Sequence, residues 1–365
     1  MELTQGETNG LQNMADMVML GVSPEIGRFL GLLRRAGTMV AGCLSLCTLM
    51  AALPAYAVNA MSPGELVRNY TTTLAKQQKF ALRFTDKTVR DVQAVSPIMK
   101  HIDGRTTYYS SGEVITDGRR VACRMSKWGQ FFGRDQPISA SNPHYRRHTF
   151  DGREQWGYVR NPLHKGAPWF PYGTLTITRN PPHRGISDAI TIGYNGHYLL
   201  GYINCCAMRM DHILHDRSTR LSLRNEPETI GGVGCYVLDV SSKYGRGTIW
   251  LDPEHGYNIA QAYFNIRSGD IVNGRPIAAG CDAHYYLKDV TFQLADGVWF
   301  PTEGTIESRS DLLLGDREAH RYHHKITDLK LNPDMDAMNA FSTADIPNGA
   351  AKFIWQSGRL VPVPR

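Results

Sequence analysis

Apolar and polar residues alternate with a period of two along much of this chain, which is the signature of strands with one buried face. Phe80, Leu82 and Phe84 alternate with Ala81, Arg83 and Thr85. The alternation is punctuated by Asp103-Gly104, Asp117-Gly118, Asp151-Gly152 and Asp296-Gly297. Such pairs accept the positive φ angles that tight hairpin turns require. Strand-like segments flank them: GEVIT and RRVACRM around the second pair, REQWGYV after the third, VTFQLA and VWFPTEGTIES around the fourth. Two stretches follow a helical period instead. Ser62-Pro63-Gly64-Glu65 is a capping box with proline at the first helical position. It leads into Leu66, Val67, Tyr70 and Leu74 on one stripe, and the helix is expected to end near Gln77. Residues 196–216 place Leu199, Tyr202, Ile203, Cys206 and Met210 at helical spacing and predict a second helix.

No strand alternates with a long helix, so an antiparallel meander is the expected topology. The fold class is mainly β (α+β): a curved antiparallel sheet or incomplete β-barrel with covering helices. Residues 126–149 and 160–194 are rich in Pro, Gly, Arg and aromatics and read as long loops within a domain spanning 58–347. Residues 348–365 lack periodicity and end in VPVPR, which reads as a loosely held tail.

The N-terminal 57 residues are set apart from this pattern. Arg34-Arg35 is followed by an uncharged run from Ala36 to Ala57, closing on Ala55-Tyr56-Ala57, the small-x-small pattern of a signal-peptidase site. A membrane anchor is the first rival, but the run is broken by Gly, Ser, Thr and Pro. Val40-Ala41-Gly42-Cys43 offers a lipoprotein signal as a second rival. The reading carried forward is a cleaved secretory leader, with cleavage after Ala57 and a periplasmic protein. The formal net charge of +6 is scattered rather than gathered in a basic block, which argues against nucleic acid as a partner. Five cysteines follow the leader, Cys123, Cys205, Cys206, Cys235 and Cys281, and none forms a C-x-x-C pair. An odd number outside the cytoplasm leaves at least one free thiol or an interchain bond.

Sequence motifs for catalysis are absent. Gly185-Ile186-Ser187-Asp188-Ala189 lacks the last glycine of a nucleophile elbow. Gly231-Gly232-Val233-Gly234 leads into a strand, not the helix N-terminus that a phosphate cradle needs. Histidine is the ambiguous signal. His212 and His215 share a predicted helix, while His320, His323 and His324 crowd a predicted strand with His320 and His324 on one face and His323 on the other. Zinc needs three or four donors, and neither group supplies them alone, so no metal and no cofactor is expected. Asp252 and Glu254 read as turn residues rather than a carboxylate pair. The aromatics Trp156, Tyr158, Trp250, Tyr257, Trp299 and Phe300 sit on or beside hairpin strands, where they serve either a sheet core or the lining of a cavity.

The order of these elements resembles the lipoprotein-carrier superfamily of LolA, LolB and RseB-like proteins. Its members show a Trp-(Leu/Ile)-Asp-Pro-x-x-Gly hairpin after a strand of the form E-x-(V/I)-x-G-x-x-(C/A)-Y-x-L. Here Trp250, Leu251, Asp252, Pro253 and Gly256 follow Glu228, Ile230, Gly232, Cys235, Tyr236 and Leu238. The resemblance spans about Ser62 to Pro347 in patches; the chain is longer than a minimal carrier, and the arginine that latches a carrier's lid has no identified counterpart. It implies a half-barrel whose apolar cavity holds a lipid or lipoprotein acyl chain. On this reading the protein is a non-enzymatic binding protein, with Phe80, Leu82, Phe84, Trp156, Trp250 and Trp299 as candidate lining. Two alternatives stand beside it. One is an exported hydrolase or metal enzyme built on the two histidine groups. The other is an envelope sensor or scaffold with a protein partner.

Overall fold

The computed structural model describes residues 61–97, 99–131, 136–162, 172–179, 189–191, 194–202, 208–272, 274–356 and 359–363. The leader with Cys43 and the Ala57 site, and also Cys205 and Cys206, lie outside the described residues. Residues 62–365 form one compact unit.

Helix α1 (Pro63–Lys76) forms as its capping box dictates: Glu65 N–H donates to Ser62 Oγ at 3.2 Å and Ser62 N–H donates to the Glu65 carboxylate at 2.9 Å. Its stripe Leu66, Val67, Tyr70 and Leu74 is buried. Eighteen strands follow among the described residues. The first six are β1 (Lys79–Gln93), β2 (Gly104–Asp117), β3 (Val121–Gly129), β4 (His144–Phe150), β5 (Glu154–Arg160) and β6 (Thr174–Arg179). After helix α2 (Met210–His215) come β7 (Arg220–Leu223), β8 (Glu228–Ile230), β9 (Val233–Ser242), β10 (Gly245–Asp252) and β11 (Asn258–Arg267). The remainder are β12 (Ile271–Val272), β13 (Arg275–Pro276), β14 (Asp282–Ala295), β15 (Val298–Asp311), β16 (Arg317–Leu331), β17 (Ala351–Gln356) and β18 (Arg359–Pro362).

Sixteen of these strands make a single sheet in the order β18-β17-β6-β5-β4-β3-β2-β1-β16-β15-β14-β11-β10-β9-β7, with β8 on β9. β1 therefore pairs with β16, and the terminal strands of the order do not pair, so the sheet is not closed into a barrel. All four Asp-Gly glycines have positive φ; at Asp296-Gly297 both residues do (46° and 73°), the geometry of a two-residue hairpin turn between β14 and β15.

Four segments differ from the sequence expectation. Residues 196–216 are not a continuous helix where described: a 3₁₀ turn at Asn195–Tyr198 is followed by Gly201 at φ 87°, and α2 occupies only the last turns. The left-handed glycine breaks the helical period that the apolar spacing suggested. β3 and β4 run well into the 126–149 stretch read as loop, and β6 lies within 160–194. The tail is built into the sheet: β17 pairs parallel with β6 from Ala351↔Thr174 to Trp355↔Thr178, and β18 folds back on it. Backbone pairing needs no side-chain period, which is why the tail gave no pattern to read.

Candidate functional site

The strand register divides the candidate lining between the two faces of the sheet. Phe80, Leu82 and Phe84 point to one face and are 4%, 2% and 1% exposed. They pack with Val114, Val121, Cys123, Met125, Phe300 and Ile326, and with Tyr194, Leu200 and Tyr202 from a covering segment. Phe80 meets Phe300 edge-on at 5.4 Å and Phe84 meets Tyr194 at 4.9 Å. Arg83 and Thr85 are exposed, as the alternation requires. This is the apolar face.

The tryptophans do not join this cluster. Trp156 opposes Thr149 and Ile177 and packs with Tyr158, Leu175 and Ile346. Through the registers Trp156↔Thr149, Thr149↔Ala122, Ala122↔Ile115 and Ile115↔Ala81, it shares the face of Ala81, opposite Leu82. Trp250 packs with Cys235, Val237 and Ala260, and its indole N–H donates to Glu228 at 2.8 Å. Trp299 precedes the inward Phe300 and contacts His255 edge-on at 4.6 Å. The Trp250–Gly256 motif is a hairpin end: Asp252 Oδ1 accepts from Glu254 and His255 N–H at 2.9 and 3.1 Å, and Gly256 and Tyr257 have positive φ. Asp252 thus does turn work, as expected.

A buried polar cluster interrupts the apolar face next to Phe84. Asp86 continues the inward series of β1 and sits opposite His324 of β16 and Ser110 of β2. His324 Nδ1 bonds the Asp86 carboxylate, Tyr194 Oη and His324 Nε2 are 2.7 Å apart, and Ser110 Oγ donates to Asp86 at 2.8 Å. Asn195 donates to the same carboxylate at 3.2 Å. With Nδ1–H donating to Asp86, Nε2 is left to accept from the Tyr194 hydroxyl. The order carboxylate, imidazole, hydroxyl resembles a nucleophilic triad, but Tyr194 and His324 are 0% exposed. Burial holds the Tyr194 hydroxyl well above its usual pKa, so it stays protonated. The cluster therefore anchors a segment rather than attacking a substrate. Sequence reasoning singled out His324 but missed Asp86, although extending the Phe80-Leu82-Phe84 parity by one step would have found it.

The anchored segment, 189–191 and 194–202, is here called the strap. Its described backbone hydrogen bonds close within it, as from Tyr194 to Ile190 and from Leu199 to Gly196, or run to Met210. Its hold on the sheet comes from side chains. The fit is tight: a Cβ on Gly196 would stand 2.3 Å from His324 Nε2, and one on Gly304 2.9 Å from Leu199. His197 lies in the strap with Nδ1 2.6 Å from the Tyr194 carbonyl; burial, then proximity to His324, pushes its pKa down to about 4.

The two histidine groups of the alternative reading do not converge. His215 bonds the carbonyl of Asp211 at 2.8 Å on α2. His320 bonds Glu318 at 2.7 Å, His323 pairs with Glu303 at 3.2 Å on the other face, and His324 is committed to Asp86. Among the described residues no three His, Cys, Asp or Glu side chains gather to hold a metal. Burial raises the pKa of Cys123, and burial and then Asp252 raise that of Cys235 to about 12, so neither is a poised nucleophile.

The opposite face is polar across its centre and carries open grooves. One of about 400 Å³ is lined by Arg83, Glu113, Arg124 and Tyr145; another of about 810 Å³ by Lys87, Asp91, Arg105, Tyr286, Glu307 and Arg321. Charge of both signs alternates along them. Part of this face is covered by the chain after Leu331, with Met335, Ala340 and Phe341 against Ala81 and Ile115, and Ile346 against Tyr158 and Leu175.

No family model matches the chain, and no curated protein does. Among solved structures the chain is similar to a DUF1329 family protein from Desulfovibrio piger, at 10% identity, covering 77% of this chain and 98% of that one with a TM-score of 0.34. It is also similar to MucB in complex with MucA(peri), at 7% identity, 74% and 99% coverage and a TM-score of 0.22. Lipovitellin is matched over 71% of this chain but 26% of its own length, at 8% identity and a TM-score of 0.28. At such identities and TM-scores these likenesses carry no argument about family or function. Among the described residues no helix is long and apolar enough to cross a membrane.

Proposed function

We propose that this chain is an exported periplasmic binding protein, without catalytic activity, that holds an apolar or acyl-chain ligand against the apolar face of its sheet beneath the strap. The observation that supports this most is the way the strap is held. It lies over Phe84, Cys123 and Met125, yet its described backbone hydrogen bonds do not enter the sheet, and Tyr194 and Asn195 hold it to the Asp86 cluster through their side chains. Lifting it exposes apolar area at about 25 cal/mol per Å². An acyl chain laid in its place restores that burial, so exchange of strap for ligand is far less costly than opening an ordinary core. The burial of the Asp86–His324–Tyr194 cluster and the separation of the two histidine groups support the binding reading over the hydrolase one. The direct measurement is titration of the exported protein with a naturally fluorescent fatty acid such as cis-parinaric acid. Saturable enhancement is expected, and its absence at micromolar protein sinks the reading.

A further inference from the structure

Resting on that reading, we propose that Lys127, Arg146 and His148 form a binding site for the oxyanion head, carboxylate or phosphate, of an amphiphile whose chain lies on the apolar face. The registers Lys127↔His144, Met125↔Arg146 and Cys123↔His148 put the three bases on the same face as Cys123 and Met125, at the margin of the apolar cluster. They continue a polar row across the sheet, His324↔Asp86↔Ser110↔Lys127. Chain-binding surface and basic patch are thus contiguous.

What distinguishes the patch is its missing counter-charge. Arg146 Nε lies 3.5 Å from His144 Nε2, and Lys127 Nζ sits 5.5 Å from the Tyr108 ring centre. Among the described residues no carboxylate pairs with Lys127, Arg146 or His148. Asp86 is near enough to act on Lys127 but is already bound by His324, Ser110 and Asn195. The His148 ring lies over Gly157, whose Cβ would stand 3.7 Å away, and its Nε2 is buried with no hydrogen-bond partner. On the opposite face of these strands the protein pairs its cations: Arg147 with Asp345, and Arg124 with Glu113. A fold that neutralises those cations and leaves this cluster uncompensated carries a cost that an oxyanion relieves.

The electrostatics agree. Burial and then Arg146 push the Lys127 pKa down to about 8, and burial, Arg146 and Lys127 push that of His148 down to about 4. At neutral pH Lys127 and Arg146 therefore supply charge while His148 supplies a neutral ring nitrogen. All three residues are half-buried, so Lys127 and Arg146 keep surface open to a headgroup while His148 Nε2 lies just beneath it.

The test compares cis-parinaric acid with the alcohol of the same chain, on wild type and on Lys127→Met and Arg146→Met, with folding followed by circular dichroism. The acid is expected to bind about tenfold or more tighter than the alcohol to wild type, and each variant to lose that preference while keeping the alcohol. The variants are expected to melt no lower than wild type, because an uncompensated cation has been removed; a purely structural role would lower the melting temperature. Inorganic phosphate separates the sources: if it shifts the His148 ring resonance saturably on its own, the site takes a free oxyanion as well as a headgroup. Equal binding of acid and alcohol to wild type overturns the site but leaves the apolar-ligand reading intact. A variant that stays folded yet loses both ligands equally overturns the site too. Binding of neither ligand overturns both.

Discussion

The strap covers the apolar face with Tyr194, Leu200 and Tyr202, while the segment 332–350 covers part of the other face with Met335, Ala340, Phe341 and Ile346. Both bury apolar side chains, and both bind a buried ionisable group of the sheet. They differ in what their backbones do. The C-terminal segment is tied at each end, from Asn332 N–H to Lys79 O at 2.9 Å and from Ala351 N–H to Gly173 O at 3.0 Å, and then enters the sheet as β17. It is further held by Arg147 to Ser342 and Asp345 and by Arg124 to Ala340. The strap's described backbone bonds stay within it or run to Met210, and its side chains Tyr194 and Asn195 reach the buried cluster around Asp86. Equal burial therefore does not mean equal security: the cover knitted into the ladder is structural, and the cover pinned by side chains is the one suited to exchange.

Breaking the pin gives the largest effect. His324 and Asp86 side chains are both 0% exposed, so His324→Ala leaves a buried carboxylate with only Ser110 and Asn195. Removing one partner of such a pair costs about 3–5 kcal/mol. Chemical denaturation is expected to show a loss of that order. A loss below about 1 kcal/mol would mean that the cluster is not the anchor.

Acid should loosen the strap next. His197 is neutral in the folded protein because burial lowers its pKa to about 4, whereas unfolded it titrates near 6.5. Protons then bind the unfolded state preferentially, so this contribution is complete above pH 6.5 and is lost as the pH falls toward 4. The shift is worth about 2 kcal/mol once partial exposure is allowed for. His148, also lowered to about 4, adds a slope of the same sign. The expected result is a flatter stability-against-pH curve in that window for His197→Gln; an unchanged slope refutes the assignment.

How much of this was legible in the sequence follows from the same division. Elements whose buried face is set by local period were readable: α1 from its capping box and stripe, β1 from its alternation, and the hairpins from their Asp-Gly turns. The parity of β1 also placed Leu82 inward and Arg83 and Thr85 outward. What parity within one strand cannot give is the face that strand shares with another, because that depends on register across the sheet. Trp156 and Trp250 were grouped with Phe80 for that reason, and register puts them opposite. The tail was unreadable for a further reason, since β17 is fixed by backbone pairing to β6 rather than by a pattern of its own. The partners of His324 come from β1 and from the strap, distant in sequence, and no local signal announces them.

The smallest expected effect sharpens the comparison from the other side. Arg147 is 1% exposed at its side chain, but its partner Asp345 is 49% exposed. Burial, then the neighbouring Arg124, pulls the Arg147 pKa down to about 10, a sign that the guanidinium is costly to hold there. Arg147→Met keeps most of the volume and removes that desolvation cost. Asp345 can turn to water, so no charge is stranded. The losses are the bonds to the Ser342 carbonyl and to Thr149 Oγ1, the latter at 3.1 Å. Weighing one against the other leaves a net change of about 1 kcal/mol or less. Native-state hydrogen exchange is the measurement that separates local from global consequences. Amides of 335–345 should exchange faster in Arg147→Met, while those of β17 stay protected by their pairing with β6. If β17 loses protection along with 335–345, the C-terminal cover depends on its arginine as the strap depends on His324, and the contrast between the two faces disappears.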